Sequence, residues 1–418
     1  MKRIAQITFR LFVGLTFIFS GFVKAIDPLG STYKFTDYFL AFGMDSLKEI
    51  AFPLAILLST LEFTVGMSLV FNSRKNIFVW IALLFMLFFT PLTLVLALTN
   101  PVSDCGCFGD AWVLTNWETF WKNILILACT LFIFWKRKND ENKNPIWEQN
   151  LLLAFAILVA GTLSFYSYRH LPIIDFRPYH IGANIGEGMR IPEDAPSDEY
   201  KSLFTYEKDG ITKEFDETNY PWQDTTWKFV NSEQIKIKEG YTPPIHDFSI
   251  SNDKNGDITD MVLNHEGYTF LFVSKELSKI NDVTINKVIN LALYSLNYDV
   301  QFVAITASGK QEIEDFTLEY ELPFEFYNTD EIQLKTIVRS NPGLVLLKKG
   351  TIIDKWHFRD FPDANLIQGD LAASSITKHQ TINIKLLIIS ITSTLLLLLV
   401  LFRLIRIRFA REKNRLRL

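Results

Sequence analysis

The chain has 418 residues, of which 49% are hydrophobic and 21% charged, with a formal net charge of −4. That length exceeds a single core, which rarely grows past about 250–300 residues, and the apolar content excludes a disordered polymer. The charge is unevenly split: residues 169–382 hold 21 Lys/Arg against 34 Asp/Glu, and the remainder 21 against 12. The soluble-looking block is therefore acidic and would repel phosphate, which argues against nucleic acid as a partner.

A bilayer core needs roughly 20 apolar residues per helix. Six stretches meet this: 4–26, 50–71, 77–98, 119–136, 147–168 and 383–403. The first has a longer apolar run than the roughly 7–15 residues of a secretory signal, and Lys24 sits poorly beside a cleavage site, so the span is expected to be retained. If the spans alternate, Lys2/Arg3, Arg74/Lys75, Lys136-Arg137-Lys138 and the basic tail 404–418 fall on one side, while the 99–118 loop has no Lys or Arg. Cytoplasmic loops carry the positive charge. The expectation is a multi-pass inner-membrane protein in contact with lipid, with both termini cytoplasmic and residues 169–382 periplasmic.

Ionisable residues inside a bilayer are functional candidates. Glu62 lies twelve residues into the second span, on one face with Ser59 and Gly66. Depth counting places Arg10 of the first span within a turn of Glu62 and leaves Lys24 too shallow, so a Glu62–Arg10 ion pair is expected. A competing reading makes Glu62 a proton or quinone group beneath the loop that follows.

That loop, between spans three and four, reads Asp104-Cys105-Gly106-Cys107-Phe108-Gly109-Asp110. Its expected place outside the membrane permits disulfides. Gly106 frees the backbone between the cysteines, and so small a ring departs from relaxed disulfide geometry and reduces readily. Asp104 and Asp110 are expected to raise the thiol pKa by like-charge repulsion, which favours a pair that is normally oxidised. A fixed structural disulfide, two idle thiols, and a metal site of two thiolates and two carboxylates stand as alternatives. The last suffers from tight spacing and the lack of a nearby His, so no metal site is assigned. Cys129, within the fourth span, reads as a small buried hydrophobe.

Three segments together resemble the DoxX/MauE group of four-helix membrane proteins. They are Ser20-Gly21-Phe22-Val23-Lys24-Ala25-Ile26-Asp27-Pro28, Leu61-Glu62, and the Asp104–Gly109 run, which resembles the redox-associated variant. The resemblance covers about residues 1–138. It implies a role in periplasmic thiol chemistry or in the maturation of disulfide-bearing partners, without a defined catalytic cycle. The bundle is also similar in architecture to vitamin K epoxide reductase, but that class needs a Cys-x-x-Cys near a quinone, and this chain has none. No cofactor is evident, and a quinone has no sequence support.

Residues 169–240 form a turn-rich unit in which Tyr206–Phe215 reads as a hairpin around Asp209-Gly210. From 241 to 370, strands and helices alternate: 268–273, helix 283–297, 300–306, 324–327, helix 330–339, 344–347 and 351–357. This order, the lead-in Pro243-Pro244-Ile245-His246-Asp247-Phe248-Ser249, and Asn341-Pro342-Gly343 at the place of a cis-proline loop resemble a thioredoxin-like domain. Ser274-Lys275-Glu276-Leu277-Ser278 lacks the Cys-x-x-Cys that belongs after the first strand, so this domain cannot exchange disulfides. A groove at Asn341, Pro342 and Gly343 can still pair with an extended peptide; a structural cap over the Cys loop is the alternative. The Asp253–Asp257 turn lacks the frame of a calcium loop, and the six His are scattered without ligand spacing and read as surface residues.

The expected fold is thus a membrane α-helical bundle with a fifth span (147–168), a periplasmic β-rich unit, an α/β thioredoxin-like domain and a C-terminal anchor (383–403). The expected function is thiol–disulfide exchange or partner maturation through Cys105 and Cys107. The alternative is a non-enzymatic, membrane-anchored adaptor that binds a periplasmic or membrane protein.

Overall fold

A computed structural model describes residues 2–102, 104–137, 145–238, 240–246, 248–367 and 371. The sixth expected span, the basic tail and His379 lie outside the described residues.

Helix α1 (Lys2–Ile26) is followed by α2 (Pro28–Ala41), then by α3 (Ala51–Phe71), α4 (Lys75–Thr99), α5 (Asn116–Trp135) and α6 (Ile146–Arg169). All but α2 belong to five helical segments long and apolar enough to cross a membrane, the α3 segment including a short 3-10 turn from Asp45. Local chemistry sets the boundaries. Asp27 accepts from the Gly30 N–H and Pro28 opens α2. Asn72 and Asn100 end α3 and α4 in the left-handed region. Thr115 and Glu118 form a reciprocal capping box that starts α5.

Small residues fix how α1 meets α3. A Cβ on Gly66 would lie 2.5 Å from the Ile18 nitrogen, and one on Gly21 would lie 2.7 Å from the Ser59 oxygen. Side chains on these faces would hold the backbones apart. The contacts pair Gly21 with Ser59 and Phe63, and Gly14 with Gly66 and Val70, so the helices run antiparallel with Glu62 level with Gly21. Arg10 is then about three turns from Glu62, at 3.6 residues per turn. The expected Glu62–Arg10 pair does not form. Counting depth from equal span ends failed because α3 begins beyond the end of α1, where α2 packs against it.

Beyond α6 the chain crosses to a mixed domain that includes the short helix α7 (Ile185–Met189). Strands β1 (Glu199–Lys208), β2 (Ile211–Asp216) and β3 (Lys228–Lys238) form a separate antiparallel sheet in the order β2-β1-β3. Asp209 and Gly210, both at positive φ, make its hairpin turn. Its aromatic residues pack locally, as Phe215 does on Trp227 with centroids 5.2 Å apart.

The second sheet takes β4 (Ser251–Asn252), β5 (Gly256–Asp257), β6 (Tyr268–Ser274), β7 (Gln301–Thr306), β8 (Phe326–Asn328), β9 (Gly343–Lys348) and β10 (Thr351–His357). Its order is β10-β9-β6-β7-β8-β4-β5, with β6 parallel to β7 and antiparallel to β9. Helices α8 (Thr259–Leu263), α9 (Asp282–Asn297), α10 (Lys310–Tyr320) and α11 (Glu331–Ile337) connect the strands. Period-two alternation divides β6 between two cores. Phe270 and Phe272 pack with Val288 and Leu291 of α9, and Leu271 and Val273 with Leu334 and Ile337 of α11. The Asn341–Pro342 peptide, entering β9, is cis.

Two expectations are corrected here. Residues 171–190 do not belong to the small β-rich unit: Tyr179 and Ile185 are buried in the mixed-sheet core, and the Gly182 N–H donates to the Ile352 carbonyl at 2.8 Å. Buried charges reinforce that strap, with Lys355 Nζ donating to Asp175 at 2.8 Å and to the Tyr179 carbonyl at 3.0 Å. His357, read as a surface residue, is buried at the end of β10, and burial pushes its imidazole down to about 3.

Replacing Gly66 with Leu is expected to destabilise the bundle by about 1–3 kcal/mol through overpacking. Thermal unfolding in detergent checks this, against Gly161→Leu, whose added Cβ meets nothing within 4 Å.

Candidate functional site

The Cys loop folds back over the ends of α1 and α3 and beneath α2. Gly106 sits at φ +64, and a Cβ there would lie 3.1 Å from the Lys34 stem, so glycine meets both the backbone and the space requirement. The loop is held at each residue. Asp104 pairs with Lys34 Nζ at 2.5 Å and accepts from the Gly106 N–H at 2.8 Å. Tyr38 donates to the Cys105 carbonyl at 2.7 Å. Phe108 is buried edge-on to Phe19, and Lys122 Nζ lies 4.2 Å from its ring centroid.

This geometry brings the Cys105 and Cys107 sulfurs to 3.0 Å, both as free thiols. A disulfide bond is about 2.05 Å long, so once an oxidant removes two electrons and two protons only a small approach of the sulfurs is needed. The pair shares a proton unequally. The hydrogen bond to Cys107 and burial push the Cys105 thiol well up. The same bond, aided by Lys122 and Lys24 against burial, brings Cys107 down to about 6. Lys122 and Lys24 thus favour the thiolate form at Cys107, and burial disfavours it at Cys105.

Asp104 and Asp110, expected to raise the thiols, are not among the groups that chiefly shift either one. Lys34 neutralises Asp104, and Arg339 Nη2 lies 2.8 Å from Asp110, so their charges are spent on neighbours. Burial raises the Asp110 carboxyl itself, outweighing the pull of Arg339.

Beneath the loop, Lys24 Nζ lies 2.8 Å from both carboxylate oxygens of Glu62. Ser20 Oγ accepts from Lys24 at 3.0 Å and sits 2.8 Å from Glu62 and 2.7 Å from the Cys107 carbonyl, sharing its one proton between them. Glu62, the predicted intramembrane carboxylate, is thus linked to the cysteines through one serine. Lys24, set aside as too shallow, is its partner, because the antiparallel register brings the two within one turn and the lysine stem reaches inward.

The mixed domain seats on the same end of the bundle. Arg339, which follows α11, bridges Asp27 and Asp110 at 2.8 Å each. Burial would push the Asp27 carboxyl up, but Arg339, Arg177 and the Gly30 N–H hold it below the usual range. Tyr33 of α2 sits among the cationic groups of Lys275, Lys335 and Arg339, all within 5.3 Å of its centroid. The Asn341 side chain closes the loop after β6, accepting from the Lys275 and Glu276 N–H groups at 2.8 and 3.2 Å and donating to the Glu276 carbonyl. Asn341, Pro342 and Gly343 follow closely on Arg339, the arginine that touches the Cys loop.

Residues 1–136 match the family described as Methylamine utilisation protein MauE. The N-terminal bundle is MauE-like. Residues 200–239, a range that takes in nearly all of the three-stranded sheet, match a domain of unknown function, DUF8463. No curated protein and no solved structure matches the chain.

Ser20, Lys24 and Asp27 stand in the segment that first suggested the family, so their importance was visible while their roles were not. Tyr38, Lys122 and Arg339 carried no sequence signal, because only tertiary packing brings them to the loop. In reduced protein, small methanethiosulfonate reagents should modify one thiol of the pair with a midpoint below that of a free cysteine, and Lys122→Met should raise that midpoint. A single midpoint above pH 8 for both thiols would contradict the unequal pair.

Proposed function

We propose that this protein is a thiol–disulfide exchange component of the bacterial inner membrane, related to the DoxX/MauE group, that acts through Cys105 and Cys107 in the maturation of disulfide-bearing proteins outside the cytoplasm. The observation that carries this reading is the pair of free thiols 3.0 Å apart, in a loop held over the Lys24–Glu62–Ser20 network. A partner dithiol is the co-reactant. One partner thiolate attacks Cys105 of the Cys105–Cys107 disulfide, and Cys107 leaves as the thiolate, since the less basic sulfur leaves faster. The second partner thiolate then displaces Cys105. The partner gains a disulfide, and this protein holds the two electrons as a dithiol.

Charge supports the orientation: Lys2/Arg3, Arg74/Lys75 and Lys136–Lys138 flank one side of the spans, and reading that side as cytoplasmic puts residues 169–382 on the periplasmic side. The mixed domain is read as thioredoxin-like without thiols. Supporting this are the central strand order β10-β9-β6-β7 and the position of Asn341-Pro342 at the start of β9. Its role is first a cap over the Cys loop, because Arg339 is committed to Asp27 and Asp110. Peptide binding at Asn341, Pro342 and Gly343, as in a membrane-anchored adaptor, is the second reading, favoured by the position of those residues beside the docking face.

The test is trapping in acid-quenched membranes. Exchange runs in both directions, so in Cys107→Ser the lone Cys105 thiol can attack the disulfide of an oxidised partner with no neighbouring thiol to release it, and a reductant-sensitive adduct of higher mass should accumulate. A membrane-impermeant maleimide added to reduced spheroplasts should block the adduct. The Cys105→Ser/Cys107→Ser variant should lose function; wild-type function in that variant would remove the exchange reading and leave the adaptor.

A further inference from the structure

Arg339 leaves the end of α11 with its side chain 7% exposed. Its Nε donates to Asp27 and its Nη2 to Asp110, each at 2.8 Å, and its Nη1 donates to the Lys335 carbonyl of α11. All three guanidinium nitrogens are therefore engaged, two on the N-terminal region and one on the domain's own helix. Asp110 stands three residues after Cys107. Between them the chain turns tightly, with the Gly109 N–H donating to the Gly106 carbonyl at 3.1 Å. Cys107 thus sits inside a turn whose exit Arg339 holds. Its entry, Asp104, is held by Lys34, and Tyr38 and Ser20 hold the Cys105 and Cys107 carbonyls. A Cys-x-Cys disulfide closes a small ring through Gly106 and departs from relaxed geometry, so the backbone of the turn must give when the bond forms. The clamp on Asp110 fits the loop as it stands with two free thiols.

A contact that fits one of two states better shifts the equilibrium between them by its differential free energy, and the effect is reciprocal. We propose that Arg339 is a positioning residue that couples docking of the mixed domain to the redox state of the Cys105/Cys107 pair: the docked domain favours the dithiol, and the disulfide loosens the domain. This rests on the exchange reading above and deepens it by giving the thiol-free domain a regulatory part. The coupling runs through position rather than through the field of the guanidinium, because Arg339 is not among the groups that chiefly shift either thiol. It also gives the exchange cycle an order. Cys105 is buried with the domain docked, and loosening in the disulfide state opens the loop to the partner thiolate that attacks it. The cap is tight when the pair is spent and loose when it is ready to oxidise a partner.

The test holds the full chain in lipid nanodiscs under graded glutathione buffers, without oxygen, and reads the disulfide fraction by alkylation and mass. Each reduction takes two electrons and two protons from two glutathione thiols, which join as glutathione disulfide. Arg339→Met should shift the equilibrium about tenfold towards the protein disulfide, or about 30 mV. Asp110→Asn should shift it the same way, and the double variant should go no further than Arg339→Met, since both act through one contact. Lys254→Met, at an exposed pair elsewhere on the domain, should change nothing. An unchanged or opposite shift in Arg339→Met, or fully additive shifts, would overturn the coupling and leave the exchange pair standing. Wild-type protein gives a second reading that needs no variant to fold. Amide hydrogen exchange across residues 27–31 and 335–341 should be faster after diamide oxidation than in the dithiol, and equal or slower exchange would also overturn the coupling. A pair that neither diamide nor oxidised glutathione joins would overturn the exchange reading itself.

Discussion

Everything at the membrane end of the protein depends on one buried ion pair. Lys24 and Glu62 are 12% and 7% exposed in their side chains. Neither charge is tolerable alone at that depth, since removing one partner of a buried pair costs roughly 3–5 kcal/mol. The pair satisfies its remaining hydrogen-bonding capacity through Ser20, and Ser20 reaches the Cys107 backbone. A polar network that is fully connected specifies a single arrangement. Here that arrangement joins α1 to α3 and fixes the Cys loop above them. The glycines on α1 and α3 are its precondition, because only a close approach brings Lys24 within reach of Glu62.

The second constraint comes from outside the bundle. Arg339 is buried against two carboxylates from separate parts of the N-terminal region, the start of α2 and the Cys loop. Arginine suits this position because its planar fork presents donors in two directions while keeping its charge. The mixed domain thereby reads the position of the loop directly. Its own Asn341 closes the loop after β6, and the domain carries no cysteine, so what it brings to the loop is geometry. Tethering through α6 and the strap 171–190 keeps its local concentration at the loop high.

Much of this was legible in the sequence. Five spans, the Asp209-Gly210 hairpin and most strands of the mixed sheet carry periodic or turn signals that single residues report. The cysteine pair announced itself by spacing. What the sequence did not yield is everything that depends on register between distant elements. Equal-depth counting chose Arg10 over Lys24 because it could not know that α3 starts beyond the end of α1. Helix α10 was missed because its apolar face is narrow, with Phe316 its one fully buried residue. The assignment of 171–190 failed because a strap whose only regular element is the short helix α7 takes its place from the core it joins, through Tyr179 and Ile185. Likewise, Asp104 and Asp110 looked like modulators of the thiols only until their own cations, Lys34 and Arg339, were in view.

The central claim is that the Cys105/Cys107 pair cycles between dithiol and disulfide in the working membrane. Acid quenching of intact cells, alkylation with a heavy maleimide and a gel shift read the state of both thiols before and after a brief pulse of reductant or oxidant. The account predicts a mixture at rest that moves with each pulse and returns within minutes. A pair locked in one state through both pulses would contradict it and leave the loop a fixed staple.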